Sequence, residues 1–199
     1  MPSANTGSLR DRRCAELLSQ IQDTAHQLFA EHGFAAVTTE DIAAAVGISI
    51  STYFRYAPTK EELLVAPLRQ TVAEIVDSYG VQPAGQSAVE ALIQSLVETA
   101  WNKTDQNLRH WRQAILTAPH LLSEPTLISI EDDCEFVELV AARMGLDAAI
   151  DIRPSLLVHT GLSTAQFILR CWLSTDPKTK PPLHVQLEQA LRITLAGFD

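Results

Sequence analysis

An all-α fold of about nine helices is predicted by three observations. Apolar residues recur at three- and four-residue steps along most of the 199-residue chain, while Val, Ile and aromatic residues nowhere alternate at strand spacing. The eight glycines and ten prolines fall mostly between these periodic stretches. The segment Thr38 to Leu64, TTEDIAAAVGISISTYFRYAPTKEELL, packs three helix starts into one short span. Residues 1–58 are read as a small N-terminal three-helix unit built on that segment, and 59–199 as a larger helical unit.

Residues 1–8, MPSANTGS, are small and polar and are expected to be disordered in the free protein. From about Leu9 to His32 the positions Leu18, Ile21, Ala25, Leu28 and Phe29 give an amphipathic helix. Gly33 ends it, and Phe34 can fold back on its last turn, bringing Val37 and Ile42 against Phe29. Thr38 and Asp41 have the spacing of a helix N-cap and its partner, just before Ile42 and Val46. Gly47 can take the left-handed conformation that ends this short helix, and Ser49 caps the next, which carries Tyr53 and Phe54. Two short helices joined by a glycine turn make a helix-turn-helix at 39–57. Ile50 and Ser51 face outward if the Thr52 methyl and Tyr53 pack inward. Pro58 disfavours helical geometry at Ala57, and Thr59 with Glu62 repeats the capping arrangement for a third, longer helix.

On Phe29, Gly33-Phe34, Thr38-Thr39, Ile42-Ala43, Val46-Gly47-Ile48-Ser49, Thr52, Phe54, Tyr56 and Pro58-Thr59-Lys60-Glu61 with Leu63, the chain resembles the TetR family of bacterial one-component repressors. The remaining two thirds is similar to the family's ligand-binding and dimerisation domain in length, helix count and composition. Arg109 to Leu116 and Met144 to Leu157 look similar to an actinobacterial subgroup that includes mycofactocin-associated regulators. The resemblance puts Ile50, Ser51 and Phe54 on positions that often read bases or the adjoining sugar-phosphate. It puts Thr39, Thr52, Tyr56 and Lys60 on positions that often hold phosphates, with Ser49 a cap at the same contact. Thr39 and Lys60 lie at helix N-termini, where positive dipole ends suit phosphate. Arg10, Arg12 and Arg13 are either a solvated helix start or an arm that orders against phosphates or enters a minor groove. The chain departs from the family in two places. Ala57 stands where many relatives carry an aromatic ring, and Ile50-Ser51 where many carry Arg, Lys or Gly. Isoleucine can make only apolar contact, for example with a thymine methyl, so specificity should lean on A·T-rich contacts and DNA shape.

The third helix of the motif runs from Thr59 through Leu68 and Ile75 to about Tyr79, with Pro67 a candidate bend. A loop over Gly80 to Gln86 precedes a helix from Ser87 to about Lys103 that buries Val89, Leu92, Leu96 and Trp101. Asp105 caps the next, with Leu108, Trp111 and Ile115 in one stripe ending before Pro119. Ser123 is read as the cap of a long helix with Pro125 in its first turn and a stripe Leu127, Ile130, Cys134, Val137, Ala141, Met144 ending at Gly145. Its acidic run Glu131, Asp132, Asp133, Glu135 diverges around the helix and reads as a solvated face. Two further helices, from Pro154 to about Ser174 and Pro182 to Phe198, carry the stripes Leu157, Gly161, Ala165, Ile168, Trp172 and Leu187, Leu191, Leu195, Phe198. Small residues at the centre of the first permit close approach. Paired in two protomers, these stripes would close an isologous four-helix bundle as the dimer interface; packing within one chain is the alternative.

The formal net charge is -9, but the deficit is uneven: residues 1–60 hold five basic and six acidic groups, residues 61–199 ten and eighteen. The N-terminal unit is therefore near neutral, a weak electrostatic footprint for nucleic acid, and DNA binding is expected from the motif rather than from charge. Cys14, Cys134 and Cys171 lack a paired spacing, so neither a disulfide framework nor a zinc site is indicated, which fits a cytoplasmic protein. No membrane span, metal site, phosphate loop or nucleophile constellation is expected, and no enzyme activity or cofactor. Trp101, Trp111, Ile115, Phe136, Val140 and His159 are the candidate walls of a pocket for a small, mostly apolar effector. The subgroup resemblance would add acyl-CoA-like or other lipidic compounds. Together these imply a DNA-binding transcriptional regulator, a homodimeric repressor that a small molecule releases from a palindromic double-stranded operator. A small-molecule or partner-binding module whose helix-turn-helix no longer reads DNA is the alternative, favoured by the near-neutral reader, Ile50 and Ala57.

Overall fold

Helix α1 (Leu9–His32) stops where the sequence places its stop. Gly33 takes φ 85°, its N–H closes on Phe29 O at 2.9 Å, and the Phe34 ring returns to 5.1 Å from that of Phe29. The computed structural model describes residues 9–102, 109–123, 128–175 and 181–198. After α1 come α2 (Thr39–Val46), α3 (Ile50–Tyr56), α4 (Lys60–Gly80), α5 (Ala88–Asn102) and α6 (Arg109–Leu116). A 3-10 turn (Pro119–Ser123) precedes α7 (Ile130–Met144), α8 (Arg153–Leu173) and α9 (Leu183–Thr194). Among the described residues there is no strand, no helix long and apolar enough to cross a membrane, and no group of three potential metal ligands.

The chain divides into two units, Met1–Ala66 with Arg109–Leu121 and Pro67–Leu108 with Leu122–Asp199. The boundary expected at 58/59 is thus corrected on two counts: the first unit extends into α4 and takes in a segment from mid-chain. The cause is long-range packing. Helix α6 lies along α1, the buried Trp111 Nε1–H donates to Leu64 O at 2.9 Å, and Phe34 N–H donates to Thr117 Oγ1 at 2.9 Å. Ile21, Phe29, Ile42, Tyr53, Leu64 and Ile115 are fully buried in this unit.

In the second unit α5 is central, packed against α7, α8 and α9. It is buried on most of its surface, and its two interior hydroxyls are satisfied within the helix: Ser95 Oγ donates to Ala91 O at 2.7 Å and Thr99 Oγ1 to Ser95 O at 2.8 Å. Gly161 on α8 marks the tightest approach. A Cβ added there would stand 2.8 Å from Leu92 Cδ2. Helix α7 closes the α4–α5 loop through Arg143. Its guanidinium donates to Pro83 O at 2.7 Å and Gln82 O at 2.9 Å, with Tyr79 O and Gln86 O at 3.5 Å, and lies 5.1 Å over the Tyr79 ring.

Several expectations change. The long helix is capped by Ser129, whose Oγ accepts from Asp132 N at 2.9 Å, and Ser123 instead ends the 3-10 turn. Its buried stripe is Phe136, Val140 and Ala141, whereas Ile130 is 81% exposed and Cys134 is exposed. Of the expected stripe, Ala141 is buried and Val137 and Met144 pack against the core. Pro125 and Leu127, like Lys103, Asp105 and Leu108, lie outside the described residues. Trp101 is not buried by α5 but is 62% exposed, its ring 4.4 Å from His184. The proposed dimer stripe is largely core: Leu157, Leu187, Leu191 and Leu195 are at most 4% exposed and pack with α5. Gly161 faces Leu92, Ala165 and Ile168 pack against the same core, and Trp172 is half-buried. The amphipathic pattern was right about which faces are apolar, but α5 of the same chain is what covers them.

Candidate nucleic-acid interface

Reciprocal capping holds α2. Thr38 Oγ1 accepts from Asp41 N at 3.1 Å, and Asp41 Oδ2 accepts from Thr38 N at 2.9 Å and from the Thr38 hydroxyl at 2.7 Å. The hydroxyl and backbone bonds from Thr38 favour the carboxylate and hold Asp41 below its usual range. At the other end Gly47 takes φ 78°, which a side chain would strain, so that Gly47 N and Ile48 N reach Ala44 O at 3.1 Å and Ala43 O at 3.0 Å. Ser49 then caps α3: its Oγ accepts from Thr52 N at 3.2 Å and lies 3.1 Å from Ser51 Oγ and 2.9 Å from Thr52 Oγ1.

Helix α3 is rooted by Tyr53 and Ala57, both essentially without exposure. Burial, helped by Glu61, pushes the Tyr53 phenol up to about 12, so it stays neutral. Ser51 and Arg55 lie opposite Tyr53, while Ile50 and Phe54 flank the buried side; all four are exposed, and Ile50 and Phe54, like Ser51 and Arg55, are one helical turn apart. This is the geometry of a recognition helix: a short, doubly capped rod with one face fixed in a core and the other free to enter a groove. Arg55 was not among the residues picked from sequence. The signal that could have found it is its spacing, four positions after Ser51 on the same face. Its guanidinium lies 5.2 Å over the Tyr56 ring.

The other expected contacts are placed differently from one another. Thr39, the first residue of α2, is half-buried and donates its hydroxyl to Glu40 Oε2 at 3.0 Å. The Tyr56 hydroxyl lies 3.5 Å from Cys14 Sγ, tying the end of α3 to α1. Lys60 is turned inward: its Nζ donates to Phe34 O at 2.8 Å and Val37 O at 3.0 Å and lies 4.4 Å over the Phe34 ring. Two of its three N–H donors are therefore spent fixing the turn before α2, and one remains. Arg12 and Arg13 are exposed on the first turns of α1, while the Arg10 side chain lies outside the described residues.

His26 locks α1 to the start of α4, its Nε2–H donating to Leu63 O at 2.9 Å. Burial is the main influence and lowers its pKa below 6.5; the Leu63 bond and Asp23 oppose that, and His110 adds to it. Between the lowered folded value and the unfolded one, the unfolded chain binds more protons, so stability rises with pH. The stabilisation is complete above about pH 7.5 and is lost as pH falls through 6.5 toward the folded value. Thermal melts of the wild type should therefore drop between pH 7.5 and 5.5 more steeply than those of His26→Gln. Parallel curves would refute this assignment.

The expected pocket residues separate. Phe136 and Val140 meet in the core of the second unit, Trp111 and Ile115 in that of the first. Trp101 is at the surface, as is His159, whose Nε2 is 3.6 Å from Asp133 Oδ1. The six thus line no single site within either unit.

Residues 21–66 match the family model for bacterial regulatory proteins of the tetR family, the span that carries α2 and α3. The chain is 27% identical over 195 residues to the HTH-type transcriptional regulator TcmR of Streptomyces glaucescens, covering 94% of this chain and 86% of TcmR. It is 28% identical over 195 residues to the Mycobacterium tuberculosis protein MftR, named for transcriptional regulation of mycofactocin biosynthesis, covering 94% of each. Among solved structures, FadR of Thermus thermophilus, a TetR-family repressor in complex with lauroyl-CoA, shares the fold with TM-score 0.58 and 22% identity over 90% of this chain and 94% of that one. With α2 and α3 capped as they are and one face of α3 left free, residues 21–66 are a segment of the tetR-family type, and the chain is a DNA-binding transcriptional regulator similar along its length to TcmR and MftR.

Proposed function

We propose that this regulator is a cytoplasmic homodimeric repressor that binds a palindromic operator through two copies of α3 and is released by a small, mostly apolar effector. The observation that carries the reading is the exposed face of α3, with Ile50, Ser51, Phe54 and Arg55 outward on a helix rooted by Tyr53. Dimerisation is assigned to the outer faces of α8 and α9 in place of the inner stripes. Leu156, Ser163 and Phe167 on α8 and Val185, Gln189 and Ile193 on α9 are exposed on two helices that pack together. A self-complementary contact there would fix the spacing of two recognition helices and hence of two half-sites.

The effector class is supported by the apolar interior of the second unit, where Phe136, Val140 and Leu157 are fully buried, and by the lauroyl-CoA bound to the similarly folded FadR. Release requires that the effector bind the DNA-free state better than the DNA-bound state. A tenfold loss of DNA affinity needs a difference of about 1.4 kcal/mol.

The test is binding of the purified protein to the DNA flanking its own gene, with unrelated DNA as competitor, across a salt series and then with lauroyl-CoA. Tight, competitor-resistant binding with a modest salt slope is expected, because few basic groups face outward near α3. Added lauroyl-CoA should weaken it at least tenfold. Retained affinity at saturating lauroyl-CoA would remove acyl chains as the effector. Binding no tighter than to unrelated DNA would count against repression at that site.

A further inference from the structure

We propose that Ile50 and Phe54 form an apolar reading pair for thymine methyl groups, so that each operator half-site carries two thymines within about two base pairs of each other beneath α3. The inference rests on the DNA-reading function assigned above and deepens it by naming the chemistry of what is read.

Ile50 and Phe54 are 37% and 50% exposed, one helical turn apart on α3 and flanking the fully buried Tyr53. The Phe54 ring stands edge-on to Tyr53 with centroids 5.4 Å apart, which restricts where it can point. An α-helix rises about 1.5 Å per residue, so the two side chains leave the helix about 6 Å apart along its axis, a reach of at most about two base-pair steps of about 3.4 Å whatever the tilt of α3 in the groove.

In the major groove the edges of guanine, cytosine and adenine offer donors and acceptors that an alkyl or phenyl group cannot satisfy. The thymine C5-methyl is the apolar feature. The hydroxyls beside the pair are engaged locally: Ser51 Oγ and Thr52 Oγ1 lie 3.1 and 2.9 Å from Ser49 Oγ. Discrimination at the base pairs beneath Ile50 and Phe54 therefore comes from apolar contact. It gains at a methyl and loses at G·C, where base-edge groups would be covered without a hydrogen-bond partner.

The full-length protein is used to select duplexes from a random library. The enriched site is then remade with deoxyuridine, which lacks only the C5-methyl, at each thymine in turn. Two positions per half-site, within about two base pairs of each other, should lose about three- to fourfold in wild-type affinity, the effect of one buried methyl group. Each should become insensitive in one of Ile50→Ala and Phe54→Ala. Both side chains are partly covered, so each variant is first checked by circular dichroism for a wild-type helix content at the binding temperature. If the enriched site binds tightly but no deoxyuridine substitution weakens it, or the losses persist unchanged in both variants, the inference is overturned and the DNA-reading function stands. If no sequence is enriched, the DNA-reading function itself fails, and the inference with it.

Discussion

Phe29→Ala is expected to destabilise the first unit by about 3–5 kcal/mol, the range for emptying a fully buried aromatic site. Phe29 has no exposure, sits in the last turn of α1 and holds Phe34 at 5.1 Å beyond the Gly33 turn. A domain of this size is typically stable by about 5–15 kcal/mol, so much of the margin goes. The functional consequence follows from helix length. Helices α2 and α3 have 8 and 7 residues, too short to persist without a core beneath them. DNA binding should be lost well below the temperature at which the second unit melts, giving a two-step transition by circular dichroism. A single melt within about 1 kcal/mol of wild type would show that the site collapses around the missing ring.

Arg143→Ala is expected to cost the second unit about 2–3 kcal/mol, through charge-assisted bonds to loop carbonyls and lost packing of the side-chain stem. The short bonds to Pro83 O and Gln82 O and the stacking on Tyr79 all depend on one planar guanidinium. Arg143→Lys should recover only part of the loss, since an ammonium keeps the charge but cannot span both carbonyls in a fork. Urea unfolding of the three proteins decides the matter. Full recovery in the lysine variant would show that charge alone suffices.

The parts of this molecule legible in the sequence are those set by short-range chemistry. Thr38 with Asp41, Gly33, Gly47, Ser49 and Thr59 with Glu62 each act within a few residues, and each is found as read. The same holds for the outward face of α3, because a seven-residue helix with one buried tyrosine leaves little choice of face. What the sequence did not show depends on partners far along the chain. An amphipathic stripe says that a face is covered without saying by what. Leu157, Leu187 and Leu191 would read identically against a second protomer or against α5. Trp111 likewise reads as generic core, and its bond to Leu64 O, 47 residues away, is what joins α6 to the first unit. Lys60 was legible as a cation at a helix start, but the two carbonyls that claim its ammonium come from the turn beyond Gly33.

That placement of Trp111 gives the molecule an optical handle. Of its three tryptophans, Trp101 and Trp172 fall in the second unit and Trp111 alone in the first. Its indole is only 6% exposed, with the N–H bonded to Leu64 O, so its emission should be blue-shifted and move to the red when the first unit opens. A Trp101→Phe, Trp172→Phe protein would then glow from the DNA-reading unit alone and report its unfolding without any attached dye.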